Sequence, residues 1–589
     1  MPVYKAPIRD FQFVLREYLP IDKYKDVAGF SDVLEMMDPV LDAGAQLCEE
    51  VLFPLNQSGD KEGLVYKDGT VTTPKGFKEA YKAYCEGGWP SFTCDPAFGG
   101  QGLPECLNMT IMEMACSSNL SFGLTPGLTH GAYNAIALHG SDELKKKYLP
   151  KMVSGEWSGV MCLTEPQAGT DLGLVRTKAE PNADGSYSIS GGKIFISSGE
   201  HDLTKNIIHL VLARLPGAPK GTKGISLFLV PKFFVKDDGS LGERNTLRCE
   251  GIEHKMGLTA SPTCVMQFDN AKGWLVGEPN KGMRNMFTMM NAARLYVGVQ
   301  GLGLGEVAYQ NALAYARERL QSRVPSGPKA PTKPADPIVL QPDVRRMILT
   351  MRAFTEGARA LAMQTAFNID LAHRHPDKQV QQDADDFVQL MTPIVKAYLT
   401  DMGSEVANLA VQVYGGYGYI KDYGVEQYVR DARIAQIYEG TNGIQALDLV
   451  GRKLAFSSGR YLRAFFHPVD AFMTEHKNNP AMAEFLKPLA VHVGYLQQAT
   501  IYIAMAGFKN PDDAAAAATE YLRMFSLLVF AFIWAQQAAI ALKSRDKEPA
   551  FYDEKLATAR FYYAKVLPGT MSLGQSLSTG NKTLAAAAL

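Results

Sequence analysis

None of the eight cysteines in this 589-residue chain (Cys48, Cys85, Cys94, Cys106, Cys116, Cys162, Cys249 and Cys264) belongs to a C-x-x-C pair. That removes the common zinc frameworks and any disulfide scaffold, and reduced thiols in a cytoplasmic protein are the simplest account. There is no basic arm or Lys/Arg run, and the formal net charge is −1, so nucleic acid is not an expected partner. The opening Met-Pro-Val-Tyr-Lys-Ala-Pro has no apolar signal-peptide core. The longest apolar run, residues 524–535, falls short of the roughly 20 residues a membrane span needs. It lies between Arg523 and Gln536-Gln537 and reads as a helix buried on all sides in a bundle. A G-x-S-x-G motif is missing, so a serine hydrolase has no support. His373-x-His375 is the one close histidine pair and sits among charges, so no metal site is expected. No internal repeat of fixed period is present.

What remains is an ordinary globular composition, 46% apolar and 21% charged, on a chain too long for one core. Residues 30–157 read as helical: Val33, Met36, Met37, Val40 and Leu41 recur at three- and four-residue steps, and Ser141 is placed to cap a helix. A loop dense in glycine and proline, residues 95–104, interrupts them. From 159 to about 275 short β-forming runs alternate with turns such as Asp184-Gly185 and Asp238-Gly239, which predicts six to eight strands in a small barrel or sandwich. Helical periodicity returns at 282. The six prolines between 325 and 342 predict an extended surface loop, and residues 454–589 are helical again. The expected fold is mainly α with a central β module, divided into residues 1–157, 158–281, 282–455 and a helical extension, 456–589.

Several segments are candidates for chemistry. Glu439-Gly440-Thr441-Asn442-Gly443 breaks a helical run. Its glycines permit positive φ or close backbone approach, and Thr441 and Asn442 are N-cap types. A carboxylate held at such a turn beside backbone N–H groups can take a proton next to a polarised carbonyl; alone, Glu-Gly-Thr reads first as a solvated loop. Met161-Cys162-Leu163-Thr164-Glu165-Pro166-Gln167-Ala168-Gly169-Thr170-Asp171 leaves a β-run into a loop that can offer N–H groups and hydroxyls to an anionic or heteroaromatic ligand, or be an ordinary loop. Gly192-Lys193-Ile194-Phe195-Ile196-Ser197 reads as an alternating strand with Phe195 and Ser197 on one face, either a stacking face for a planar cofactor or simply barrel surface. Gly301-x-Gly303-x-Gly305 lies inside a helical pattern without a preceding strand, so it predicts close helix packing rather than a dinucleotide loop. Val413-Tyr414-Gly415-Gly416-Tyr417-Gly418-Tyr419 is an aromatic-rich glycine turn, open to a phosphate or merely a helix C-cap.

Taken in order, the loop with Leu163-Thr164-Glu165-Pro166 and Gly169-Thr170-Asp171, the Gly192-Lys193…Ser197 strand, Gly415-Gly416-x-Gly418 and Tyr438-Glu439-Gly440-Thr441 resemble the acyl-CoA dehydrogenase family over about residues 30–455. The Tyr-Lys-Ala-Pro head, the proline-rich loop and the helical tail are similar to its roughly 600-residue bacterial branch. The resemblance implies FAD as cofactor, an acyl-CoA substrate oxidised to the trans-2-enoyl-CoA, electron-transferring flavoprotein as acceptor, and a homo-oligomer, most simply a dimer. It makes Glu439 the base, with the thioester oxygen held by the backbone N–H of Glu439 and a ribityl hydroxyl of FAD. It sets Met161, Leu163, Thr164, Phe195 and Ser197 around the isoalloxazine and Thr170 near flavin and substrate. Arg319 would reach the FAD pyrophosphate of a neighbouring subunit. Gln412, Gly415 and Gly416 would face the adenosine end and Thr441 the phosphates, with Arg294 and Gly440 supporting the substrate beside the base. Phe195 stands where the family often has Trp. Residues 319–323 keep only Arg319 of the usual Arg-Lys-Thr-Phe-Gly. Ala293 occupies the neighbourhood in which some branches place the base. The substrate chain stays open between a short thioether and a medium or long fatty acyl group, as does an oxidase passing electrons to oxygen. Non-catalytic binding proteins of the same fold are the alternative from another class.

Overall fold

The computed structural model describes residues 2–588. Its helices, in chain order, are α1 (Ile8–Phe13), α2 (Phe30–Gln46), α3 (Pro54–Glu62), α4 (Phe77–Glu86), α5 (Glu105–His139), α6 (Asp142–Val153), α7 (Gly282–Glu318), α8 (Pro342–Arg374), α9 (Lys378–Tyr414), α10 (Val425–Arg433) and α11 (Asn442–Asp448). The tail adds α12 (Arg460–His476), α13 (Ala483–Lys509), α14 (Pro511–Ala516), α15 (Ala518–Ser544), α16 (Pro549–Phe561) and α17 (Gly569–Leu577). The chain forms two compact units: Met1–Asp42 with Pro104–Ser117 and Val297–Leu589, and Ala43–Leu103 with Ser118–Tyr296.

The second unit holds the β module and two short strands before it. The expectation of helices alone over 30–157, interrupted at 95–104, is corrected by a hairpin, β1 (Val65–Lys67) and β2 (Thr70–Thr72). Its turn is Asp68-Gly69, both at positive φ, the conformation a two-residue hairpin loop demands. Nine strands follow where six to eight were expected: β3 (Trp157–Cys162), β4 (Lys178–Pro181), β5 (Tyr187–Ser197), β6 (Asn206–Arg214), β7 (Ile225–Pro231), β8 (Phe233–Val235), β9 (Leu241–Arg244), β10 (Leu247–Ile252) and β11 (Thr263–Leu275). Pairing runs β10-β11-β5-β4-β6-β3, and β7 joins β6 to β11. The cycle β11-β5-β4-β6-β7 therefore closes into a barrel, which leaves no free edge within it. Ile189, Val211, Phe228, Met266 and Phe268 belong to one buried cluster of this module.

The first unit is helical. Gly301, Gly303 and Gly305 of α7 serve close packing, as expected. A Cβ at Gly301 would lie 2.3 Å from the Leu399 carbonyl oxygen on α9, and one at Gly303 2.6 Å from Cys116 Cβ. The apolar helix α15 is buried along residues 524–535, with Trp534 Nε1 donating to the Ala353 carbonyl of α8 (3.1 Å). The proline-rich segment is more ordered than a plain loop. Asp336, fully buried, accepts from the N–H groups of Val324, Lys329 and Ala330 and pairs with Arg323 at 3.2 Å. Pro342 then opens α8 at a position where a missing N–H costs nothing.

Candidate active site

In the second unit the site-forming stretch begins where β3 ends. Met161 is buried, and Leu163 and Thr164 are half-buried on the loop that follows. Glu165, which sequence reasoning gave no role of its own, organises this loop. Its carboxylate accepts from Lys193 Nζ (2.9 Å), Thr177 Oγ1 (2.6 Å), Thr177 N (3.0 Å), Arg176 N (2.8 Å) and Gln167 Nε2 (2.6 Å). Burial pushes this carboxyl up, but Lys193 and the hydroxyl and N–H donors outweigh that and hold it at about 2. Lys193 also donates to the Leu163 carbonyl (2.9 Å). Ile194 N, on β5, donates to the Thr164 carbonyl (2.9 Å). The loop is thus fastened directly beside Phe195.

Here the expected alternation fails. Four residues of β5 (Lys193 to Ile196) oppose three of β11 (Met266 to Cys264), so one extra residue is accommodated as a bulge. Lys193 and Ile196 are both buried, while Phe195, at φ 58°, turns outward and is 59% exposed. Phe195 and Ser197 remain on the accessible side, but because of the bulge rather than a regular pleat. Thr170 is exposed on the loop, and nothing lies within 4 Å of a Cβ built on Gly169. Arg294, on α7, is buried in this same unit, its guanidinium 5.7 Å from the Phe287 ring.

In the first unit Glu439 sits where α10 has ended in a 3-10 turn, Ile434–Gln436, and α11 has not begun. It is half-buried and adopts φ 57°, a left-handed conformation rare for a residue with a Cβ. Gly440 follows at φ 84°. Thr441 caps α11, its Oγ1 accepting from Ile444 N at 3.3 Å. Gln445 Nε2 donates to the carbonyls of Glu439 (3.3 Å) and Gly440 (3.1 Å). Asn442 fastens the turn to α9: its amide donates to Ala397 O (3.1 Å) and Asp401 Oδ1 (2.6 Å), and its oxygen accepts from the buried Lys396 (2.8 Å). Tyr438, the preceding residue, donates to Gln300 on α7. Burial first, then the Glu439 charge, push its phenol up, so Tyr438 stays a neutral donor. Sequence reasoning missed Asn442, Gln445 and Lys396 as supports, since Lys396 comes from the distant α9 and the contacts of Asn442 and Gln445 appear only once the turn is folded.

The same unit holds the other group. Gln412, Gly415 and Gly416 are exposed at the end of α9, where Gly415 (φ 61°) caps the helix and a 3-10 turn, Gly415–Tyr419, follows. Nothing lies within 4 Å of a Cβ built on Gly415 or Gly416. Arg319, exposed just beyond α7, lies over the Tyr417 ring at 5.5 Å. Gln412 is eleven residues along α9 from Asp401, roughly 16 Å at 1.5 Å per residue. The two groups in this unit therefore lie well apart along α9.

Four profiles match in sequence order: acyl-CoA dehydrogenase N-terminal domain over 45–156, middle domain over 160–271, C-terminal domain over 280–454, and acetyl-CoA dehydrogenase C-terminal like over 465–588. The chain belongs to the acyl-CoA dehydrogenase family and is an FAD-dependent enzyme of that class. It is 43% identical over 569 residues to 3-methylmercaptopropionyl-CoA dehydrogenase of Ruegeria pomeroyi, covering 96% of each chain. It is 38% identical to a butyryl-CoA dehydrogenase of Syntrophomonas wolfei, covering 96% of this chain and 95% of that one. Its fold is that of an acyl-CoA dehydrogenase complexed with FAD from Bacillus anthracis, at a TM-score of 0.75 and 21% identity, over 97% of this chain and 91% of that one.

The residues present suit FAD. An outward aromatic beside a fastened loop with hydroxyls suits a flat polar ring system. A cation, open glycines and a capped helix start suit a pyrophosphate.

Proposed function

We propose that this enzyme oxidises a short acyl-CoA across its α and β carbons, 3-(methylthio)propanoyl-CoA foremost, with Glu439 as the base. The observation that carries the reading is the Glu439 turn, a carboxylate at positive φ braced by α9, by α7 and by its own following helix. Glu439 accepts the α-proton on its carboxylate, and its backbone N–H holds the thioester oxygen, where negative charge develops as that proton leaves. Gly440 lets the chain pass close to the thioester, and Arg294 supports the substrate. Met161, Leu163, Thr164, Thr170, Phe195 and Ser197 would hold the flavin ring, Arg319 and Thr441 its phosphates, and Gln412, Gly415 and Gly416 its adenosine end. FAD, when bound, supplies the acceptor for the β-hydrogen as hydride. The product is the trans-2-enoyl-CoA.

The likeness to the Ruegeria and Syntrophomonas relatives, whose names specify short acyl groups, supports a short chain here. We read electron-transferring flavoprotein as the outside acceptor and the protein as a cytoplasmic homodimer, and the exposed Arg319–Tyr417 surface fits the homodimer part of that reading. The test is anaerobic flavin bleaching with acyl-CoA esters from four to sixteen carbons and with 3-(methylthio)propanoyl-CoA. Fastest bleaching with the thioether or the four-carbon ester is expected. Preference for twelve carbons or more would make it a long-chain enzyme, and peroxide released in step with product would make it an oxidase.

A further inference from the structure

We propose that the first unit carries a second binding site, for a long-chain carboxylate, in the cavity among α8, α9, α12 and α15. This site is independent of the dehydrogenation chemistry above. The cavity measures about 590 Å³, within the range that encloses small molecules. Its apolar wall includes Leu371, Met391, Phe465, Phe532 and Ile533, all buried in the protein. Among the polar groups of the lining, the side-chain oxygens of Gln364 and Gln536 both lie 3.0 Å from the Tyr18 hydroxyl, whose single proton serves one of them at a time.

The rim is set by α12, where Arg460, Arg463 and His467 fall three and four residues apart, on one face of the helix. Arg460 is paired with Asp386 (2.8 Å), which also accepts from Gln382 (2.9 Å). Asp383, the other carboxylate of the rim, accepts from Gln379 (2.8 Å). Arg463 and His467 line the same cavity and are exposed. Their side chains make no hydrogen bond or ion pair among the described residues. An apolar wall with a guanidinium left over at its rim matches an acyl chain ending in a carboxylate. The chain covers surface that water otherwise wets, and the headgroup takes the planar fork of Arg463. A phosphate ion would leave the apolar wall uncovered, and a neutral hydrocarbon would leave Arg463 unused. The ligand would touch helices of both the dehydrogenase C-terminal domain (280–454) and the extension matched over 465–588, because α8 and α9 lie in one and α15 in the other.

The experiment titrates FAD-loaded enzyme with monomeric dodecanoate by calorimetry, following flavin absorbance and the thermal midpoint in parallel. Saturable binding of one dodecanoate per chain is expected, with a raised midpoint and an unchanged flavin spectrum. The double variant Arg463→Glu/His467→Glu should bind at least tenfold more weakly. Ala464→Trp, which fills the cavity, should do the same. Both variants should keep full FAD content, since residues 463 and 467 are exposed and 464 is half-buried. Three results would overturn the proposal: no saturable binding, affinity within twofold of the parent in both variants, or binding that shifts the flavin spectrum and is displaced by an acyl-CoA.

Discussion

Phe195 and Glu439 both hold positive φ, at 58° and 57°, a conformation that costs a side-chain-bearing residue on the order of 1–2 kcal/mol. Such a cost persists only where neighbours over-determine it. At Phe195 the neighbours are the Glu165–Lys193 pair and the bulge against β11; at Glu439 they are Asn442, Gln445 and Thr441. Because Phe195 is exposed, Phe195→Ala should leave the apoprotein's stability within about 0.5 kcal/mol. It should nevertheless weaken FAD about tenfold, about 1.4 kcal/mol, as fluorescence titration of apoprotein with FAD would show. Lys193→Met leaves Glu165 buried and unpaired, and urea unfolding should show a loss of about 3–5 kcal/mol. The acid behaviour follows from the direction of the Glu165 shift. Its carboxyl is held at about 2, below its value in the unfolded chain. Its stabilisation is therefore complete above about pH 4.5 and lost as pH falls toward 2.

Among the elements, α7 and α9 approach so closely that each uses a glycine against the other. A Cβ at Gly403 would lie 2.3 Å from the Gly301 carbonyl oxygen. Gly301→Ala should therefore destabilise the enzyme by about 1–3 kcal/mol, read by chemical denaturation. An equal or raised stability would mean the helices move apart freely. The helical seam was legible in sequence because Gly301-x-Gly303-x-Gly305 lies inside a helical period. The hairpin at 65–72 carried its signal too, Asp68-Gly69 between Val65-Tyr66 and Val71, but helical periodicity on both sides masked it. The β5 bulge carried no local signal. It arises from register with β11, roughly seventy residues later in the chain, and a strand read alone shows only its period of two.

Across the whole molecule, the ends of the chain meet in a buried ionic network within the first unit. Arg359 on α8 pairs with Asp10 of α1, Glu113 of α5 (2.6 Å) and Glu306 of α7 (2.8 Å). Lys555 of α16 pairs with Asp10 and with Glu356 (2.8 Å). The extension is thereby tied to the first helix of the chain. None of this was legible in sequence, since the partners stand up to 545 residues apart and a charged residue on a helix reads first as solvated. What was legible at this scale was the order of helices, β module and helices, together with the loop after β3, the glycine turn at 415–418 and the turn at Glu439; the fourth motif, on β5, is bulged rather than regular. Lys555→Met should cost about 3–5 kcal/mol by leaving Asp10 and Glu356 short of a cation, measured as a fall in denaturation midpoint. Burial, opposed by Arg359, pushes Glu113 up to about 7. The folded state then holds a proton that the unfolded chain releases near pH 4.5, so the Glu113 contribution to stability falls as pH rises from about 4.5 toward 7. Glu113→Gln should flatten that part of the pH–stability profile.

The central claim is that Glu439 removes the proton that starts the reaction. The direct measurement is anaerobic flavin absorbance after 3-(methylthio)propanoyl-CoA or butyryl-CoA is added to Glu439→Gln. The account predicts full FAD content and no bleaching on a timescale roughly 10³-fold longer than that of the parent enzyme. Bleaching at the parental rate would contradict it and move the base elsewhere.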